Sequence, residues 1–185
     1  MMTTIHPEAQ TVLDFWYDEH HRQYWFAKSE EFDDEIRRRF ADTLKRAAQG
    51  ELDVWRSTIR GRLAEIIVLD QFSRNLYRDT PHAFDQDGMA LVLAQTAVAL
   101  PEFELLTTKE KHCLLLPYMH SESAYIHEQA LALFGRLDNP DALEFEMKHK
   151  VIIDRFGRYP HRNAILGRVS TAEEIAFLNE PNSSF

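Results

Sequence analysis

The sequence predicts an all-helical protein of seven to nine helices with antiparallel neighbours and no sheet. Three observations carry this. Apolar residues recur every three to four positions along most of the chain. Only 6 glycines and 7 prolines interrupt 185 residues. No run alternates apolar and polar residues as a half-buried strand does. Short connections between helices place consecutive ones side by side and antiparallel. Nothing rich in Ser, Gly or Pro divides the chain, so residues 1–185 read as a single helical domain, and no fixed repeat period is visible.

The elements follow in order. His6-Pro7 opens a short helix, with proline at a first-turn position, and Val12, Leu13, Trp16 and Tyr17 form its apolar stripe. Ser29 caps a second helix. Its Phe32, Ile36, Phe40 and Leu44 lie four apart, and Gly50 stands at its C-terminal end. Arg37-Arg38-Arg39 falls between core positions and reads as a solvated face. Leu63 to Phe72 contains Ile66-Ile67-Val68-Leu69, strand-like in composition, but its length favours a buried helix. Thr80-Pro81 opens a helix carrying Phe84 and Ala90 to Val98, with Pro101 beyond its end. Thr108 caps a helix holding Cys113 to Leu116, which Pro117 disturbs. Ser121 caps the next, closing near Gly135. Asp141 to Phe156 follows. The last helix opens on a capping box, either Ser170 with Glu173 or Thr171 with Glu174.

Composition narrows the function classes. Hydrophobic residues are 44% and charged residues 28%, which argues against disorder. A net charge of −9 speaks against non-specific nucleic-acid binding, which needs clustered cations. No apolar run approaches the roughly 20 residues that span a bilayer. Met1 to Asp14 lacks the pattern of a signal peptide. The lone Cys113 excludes an intrachain disulfide and, flanked by leucines, reads as a buried thiol of a reducing compartment. A cytoplasmic protein is therefore expected.

Four arginines and a histidine crowd Arg155-Phe-Gly-Arg158-Tyr-Pro-His161-Arg162-Asn163 and Arg168, within an acidic chain. Gly157 and Pro160 end the preceding helix, so these side chains fall on a helix end and a loop. The guanidinium fork matches carboxylate and phosphate. The competing reading has these arginines tying helices together through carboxylates such as Asp70 and Asp154. A second polar knot, Asp70-Gln71-Phe72-Ser73-Arg74-Asn75, follows the most apolar stretch. It offers an ion pair between Asp70 and Arg74, four apart, or one wall of a pocket shared with the Arg158–Asn163 loop. In Pro117-Tyr-Met-His120-Ser-Glu122 the serine has no nucleophile elbow around it. Glu146 and His149 form a single Glu-x-x-His where di-iron bundles use two. No zinc motif and no phosphate-cradling glycine loop is present, so neither metal nor cofactor is expected. Trp16, Trp25 and Trp55 with Phe15, Tyr24 and Phe26 read as core packing.

Val12-Leu-Asp-Phe-Trp16, Trp25-Phe26, Leu69-Asp-Gln-Phe-Ser-Arg-Asn75, His120-Ser-Glu122, Phe156-Gly-Arg-Tyr-Pro-His-Arg-Asn163 and the closing Ser-Ser-Phe185 resemble, in order, the uncharacterised bacterial family called domain of unknown function 924. Ser73 and Tyr159 stand where the resemblance leads one to expect proline and phenylalanine. The resemblance implies stacked antiparallel helix pairs similar to tetratricopeptide-repeat proteins. It also implies a characteristic polar set of Asp70, Arg74, Asn75, His120, Glu122, Arg158, His161, Arg162 and Asn163, and no known activity.

The expected function is a binding module. Stacked helix pairs make a concave face, and Asp70, Arg74, Asn75, Arg155, Arg158, His161, Arg162 and Asn163 would line a pocket on it for a small anionic ligand or an acidic peptide segment. One alternative is an enzyme. His120 or His161 would be its general acid or base, with Asp70 or Glu122 orienting the ring and Arg158 and Arg162 stabilising an anion. The other is a structural or assembly role, with which a homodimer is compatible.

Overall fold

The computed structural model describes residues 4–25, 27–181 and 183–184. Phe26, Phe185 and the first three residues of the Met1–Asp14 stretch lie outside them. Among the described residues there is no strand. Nine α-helical segments run α1 Pro7–Trp16, α2 Glu30–Ala48, α3 Ile59–Ile67, α4 Ser73–Leu76, α5 Asp87–Val98, α6 Thr108–Met119, α7 Ala124–Phe134, α8 Pro140–Phe156 and α9 Ala172–Phe177. A π-helical turn, Val68–Phe72, joins α3 to α4 without a break. The strand-like Ile66–Leu69 run is therefore helical and wholly buried.

Local chemistry sets most boundaries. The Ser29 side chain accepts from the Phe32 amide at the start of α2, and His6 accepts from the Glu8 amide at the start of α1. Of the two capping-box registers, Thr171 with Glu174 forms. Three expected boundaries move. Thr107, not Thr108, caps α6, because Glu110 stands three residues on from it and completes a reciprocal capping box. α7 begins at Ala124 after Ser123, so Ser121 lies outside it. Thr80-Pro81 opens only a 3₁₀ turn, Pro81–Phe84, and α5 begins at Asp87. Pro117 lies inside α6, which runs on to Met119 before ending.

Helices pack on their successors, α5 on α6, α6 on α7 and α7 on α8, and, with the continuous α3–α4 segment counted as one helix, also on the next but one, α3 on α6 and α6 on α8. One apolar cluster extends from Ala9 to Ala142 and includes Trp16, Phe32, Ile36, Phe40, Trp55, Ile66 and Phe134. A smaller one joins Ile152, Ile153, Tyr159 and Phe177 at the C-terminal end. Cys113 is buried, and burial pushes its thiol up to about 11. No helix among the described residues is long and apolar enough to cross a membrane.

Gly61 fixes how α3 meets the turn before it. A Cβ there would lie 1.9 Å from the Trp55 carbonyl oxygen. Replacing a helical glycine by alanine ordinarily stabilises by up to about 1 kcal/mol. Gly61→Ala is expected instead to cost about 2–3 kcal/mol through overpacking against rigid backbone. Urea unfolding checks the sign: an unchanged or raised midpoint would show that the Trp55 turn yields.

Candidate functional site

The π turn shapes the centre of the site. Its i→i+5 bonding inserts an extra residue into the helical turn, a distortion common at functional sites. All five of its residues are buried, including the polar Asp70 and Gln71. A carboxylate so placed must be paired. Asp70 Oδ1 lies 2.7 Å from His120 Nδ1, at the C-terminal cap of α6, and 3.2 Å from Arg74 Nη1. Gln71 Nε2 donates to Asp70 Oδ2. Arg74 also donates to the Asp70 carbonyl at 2.8 Å and makes two bonds to Asp87, at 2.9 and 3.1 Å.

Burial alone would raise the Asp70 pKa, but the neighbouring His120 and Arg74 outweigh it and hold the carboxyl below the ordinary carboxylate range. His120 goes the other way: burial, then the Arg74 charge, push its imidazole down against the pull of Asp70. These directions describe an ionised Asp70, held by Arg74, beside a neutral His120. Its Nδ1–H donates to Asp70, leaving Nε2 as the basic nitrogen. That is the orienting arrangement by which a carboxylate fixes a histidine tautomer.

The segment Met119 to Glu122 is clamped at every residue. Tyr159 Oη donates to the Met119 carbonyl at 2.6 Å, Arg162 Nη2 to the His120 carbonyl at 3.1 Å, and His127 Nε2 lies 2.8 Å from the Ser121 carbonyl. Glu122 accepts from the Tyr159 amide at 2.7 Å and from both arms of Arg168 at 2.6 and 2.9 Å. The pair of arginine bonds and the Tyr159 amide outweigh burial and keep Glu122 below its ordinary range. Behind this clamp His127 and Glu146, both fully buried, meet at 2.6 Å. The Glu-x-x-His pattern thus has a structural partner for its glutamate.

Arg162 completes the cluster. It is 7% exposed. Its guanidinium lies over the rings of Phe84 and Tyr159, at 4.7 and 4.6 Å. The carboxylate nearest to it, Asp87, is 3.6 Å away, and its buried Nε has no hydrogen-bond partner. Burial and then the Arg74 charge push its pKa down. His161 and His149 flank the same tyrosine, with ring centroids 5.5 and 5.7 Å from it. Burial pushes their pKa values down to about 4 and about 3.

The expected set therefore divides. Asp70, Arg74, His120 and Arg162 come together directly, and Glu122 and His161 adjoin them. Asn163 donates to Ser170 and Glu174 and accepts from Arg168. Arg158 is taken by Glu174 in two bonds of 2.6 and 2.8 Å. Arg155 pairs with Glu173 at 3.1 Å. Both are thus engaged by acids at the C-terminal end. Asn75 donates to Asp33 of α2 at 2.7 Å, alongside Arg78. Asp154 pairs with Lys150 on the surface rather than with an arginine. Asp87, Phe84 and Tyr159 are the contributors that pattern reading did not place in the site. Asp87 reads simply as an acid in a first helical turn, which suits the helix dipole. Among the described residues no group of three or more His, Cys, Asp or Glu side chains could hold a metal ion.

Comparison with known proteins agrees on the family and the fold. The pattern of the family described as "Bacterial protein of unknown function (DUF924)" matches residues 12–182. A solved structure of a protein of unknown function, ATU0120 from Agrobacterium tumefaciens, superposes with a TM-score of 0.88 at 34% identity, covering 93% of this chain and 97% of that one. No curated protein matches.

Proposed function

The chain belongs to the bacterial family of unknown function DUF924, and we propose that it is a helical binding protein that takes a small anion between Arg162 and His120. The observation that carries this reading is the unspent capacity of Arg162. It is a buried guanidinium with an idle Nε and no carboxylate closer than 3.6 Å. Arg155, Arg158 and Arg168 all have carboxylates within 3.1 Å. A carboxylate or phosphate oxygen would satisfy that nitrogen and gain a charge-assisted bond. The reading includes a tetratricopeptide-like stack. With α3–α4 counted as one continuous helix, the contacts of α3 with α6 and of α6 with α8 suit alternate helices lining one concave face.

The test is a thermal-shift series with inorganic phosphate, small carboxylic acids and nucleotides. A ligand at 100 times its Kd adds about 2.7 kcal/mol, which moves the midpoint of a protein this size by roughly 5–10 °C. Arg162→Met keeps the apolar stem over Phe84 and removes the charge, so it should abolish the shift. A shift that survives in Arg162→Met, or a wild-type protein that none of these anions stabilises, sinks the proposal.

The Asp70–His120 pair favours a second reading, in which the bound anion is a substrate and His120 Nε2 accepts or donates a proton. In that case His120→Gln retains anion binding and loses turnover, while Arg162→Met loses both.

A further inference from the structure

The 3₁₀ turn Pro81–Phe84 and the residues after it have two sides. One presents Phe84 and Asp87 to the arginines described above. The other walls a separate cleft of about 400 Å³ between the C-terminal end of α2 and α4. That volume falls within the range of small-molecule sites, about 300–1,000 Å³.

The chemistry of its wall is specific. Lys45 brings an ammonium that makes no ion pair among the described residues. Ser73, fully buried, contributes a hydroxyl with no hydrogen-bond partner. A buried hydroxyl left unpaired costs free energy unless something supplies a partner. Asp85, held to His82 Nδ1 at 2.7 Å, and the Gln86 amide offer acceptors for hydroxyl groups. Tyr77, 43% exposed and set edge-on to His82 at 5.8 Å, adds an aromatic face.

We propose that this cleft is a second ligand site, for a small hydroxylated anion of the sugar-phosphate or sugar-acid kind. Lys45 takes the charged group, and Asp85 and Gln86 take hydroxyls. Tyr77 covers the apolar face of the carbon chain, and Ser73 gains the partner it lacks. A bare anion could use Lys45 and the donors of the wall but would leave the Asp85 carboxylate without a hydroxyl to accept from. A neutral sugar would leave Lys45 unused. The site is independent of Arg162, so it stands or falls separately from the function proposed above.

The experiment is titration of the isotope-labelled full chain with glucose 6-phosphate and with gluconate, followed by amide NMR, with glucose and inorganic phosphate as controls. The expected result is saturable movement of the Lys45, Tyr77 and Gln86 resonances by at least one of the hydroxylated anions. Each control should bind at least tenfold more weakly. Lys45→Ala should weaken the anion at least tenfold with no change in melting temperature, because the ammonium holds nothing in place. If glucose 6-phosphate and gluconate both leave these resonances still, the proposal is overturned. It is equally overturned if movement is confined to the surroundings of His120 and Arg162, or if Lys45→Ala binds as wild type.

Discussion

Arg56→Ala should lower the melting temperature by about 10 °C, corresponding to roughly 3–5 kcal/mol for breaking a buried ion pair in a protein of this size. Glu65 projects from α3 into the core and is 0% exposed. Its two oxygens are held by Arg56 Nε at 2.7 Å and Nη2 at 2.6 Å. Arg56 comes from the turn Asp53–Ser57, which packs on α3. Truncating the arginine leaves the Glu65 carboxylate buried without its partner. The cost is that of an uncompensated buried charge, not of a surface salt bridge, which is worth at most about 1 kcal/mol. The double variant Arg56→Met, Glu65→Leu separates the two. Removing both charges and keeping the volume should restore most of the loss. An Arg56→Ala protein that melts within 2–3 °C of wild type, which about 1 kcal/mol would produce, would show that Glu65 finds another donor.

Glu65 illustrates what the sequence could not tell. The fold class was legible because apolar spacing is a local property, and each helix carries its own. Phe32, Ile36, Phe40 and Leu44 point to one face by arithmetic, and all four are buried. Caps were legible to within a residue or two. At α6 even the error was avoidable: Glu110 stands three residues from Thr107, whereas Lys111 stands three from Thr108 and cannot close a capping box. The site was legible only as a set of residue types. Arg158 and Arg162 flank one short turn and look alike in a sequence, yet one faces Glu174 and the other lies over Phe84 and Tyr159. What separates them is the 3₁₀ turn Pro160–Arg162, which redirects the chain after Arg158. Which acid each meets depends on α5, far away in the chain, and on α9, which must fold back onto Arg158. The π turn also leaves no pattern, because Val68–Phe72 reads as a plain continuation of the helix before it.

Acid should unfold this protein early, and buried histidines rather than carboxylates should govern the onset, His149 and His161 most strongly, with His120 and His112 pushed down in the same direction. His149 and His161 are pushed by burial to about 3 and about 4 in the folded state, against roughly 6.5 in an unfolded chain. Between those values the unfolded chain binds protons that the folded chain refuses. Stability therefore rises with pH across this window. The contribution of each histidine is fully present above about pH 6.5 and is lost as pH falls toward the folded value. At pH 5 each is expected to have cost about 2 kcal/mol, and the pair should lower the midpoint by roughly 10 °C relative to pH 7. Glu174, held down to about 2 by Arg158, begins to matter only below the ordinary glutamate value of about 4.3, at the acid end of this window. Melting curves at half-unit steps from pH 7 to 4.5 read the slope directly. His149→Phe, which keeps a ring against Tyr159, should flatten it by about half. A midpoint constant between pH 7 and 5 would mean that these imidazoles accept protons in the folded state. That outcome would reach the proposed site as well. Neutral imidazoles at pH 7 leave Arg74 and Arg162 as the cations of the cluster, and Asp87 already engages Arg74 in two bonds. The idle Nε of Arg162 is then the place where an anion gains most. Were His149 and His161 charged, two further cations would face the same space, and the loss of binding on removing Arg162 would shrink accordingly.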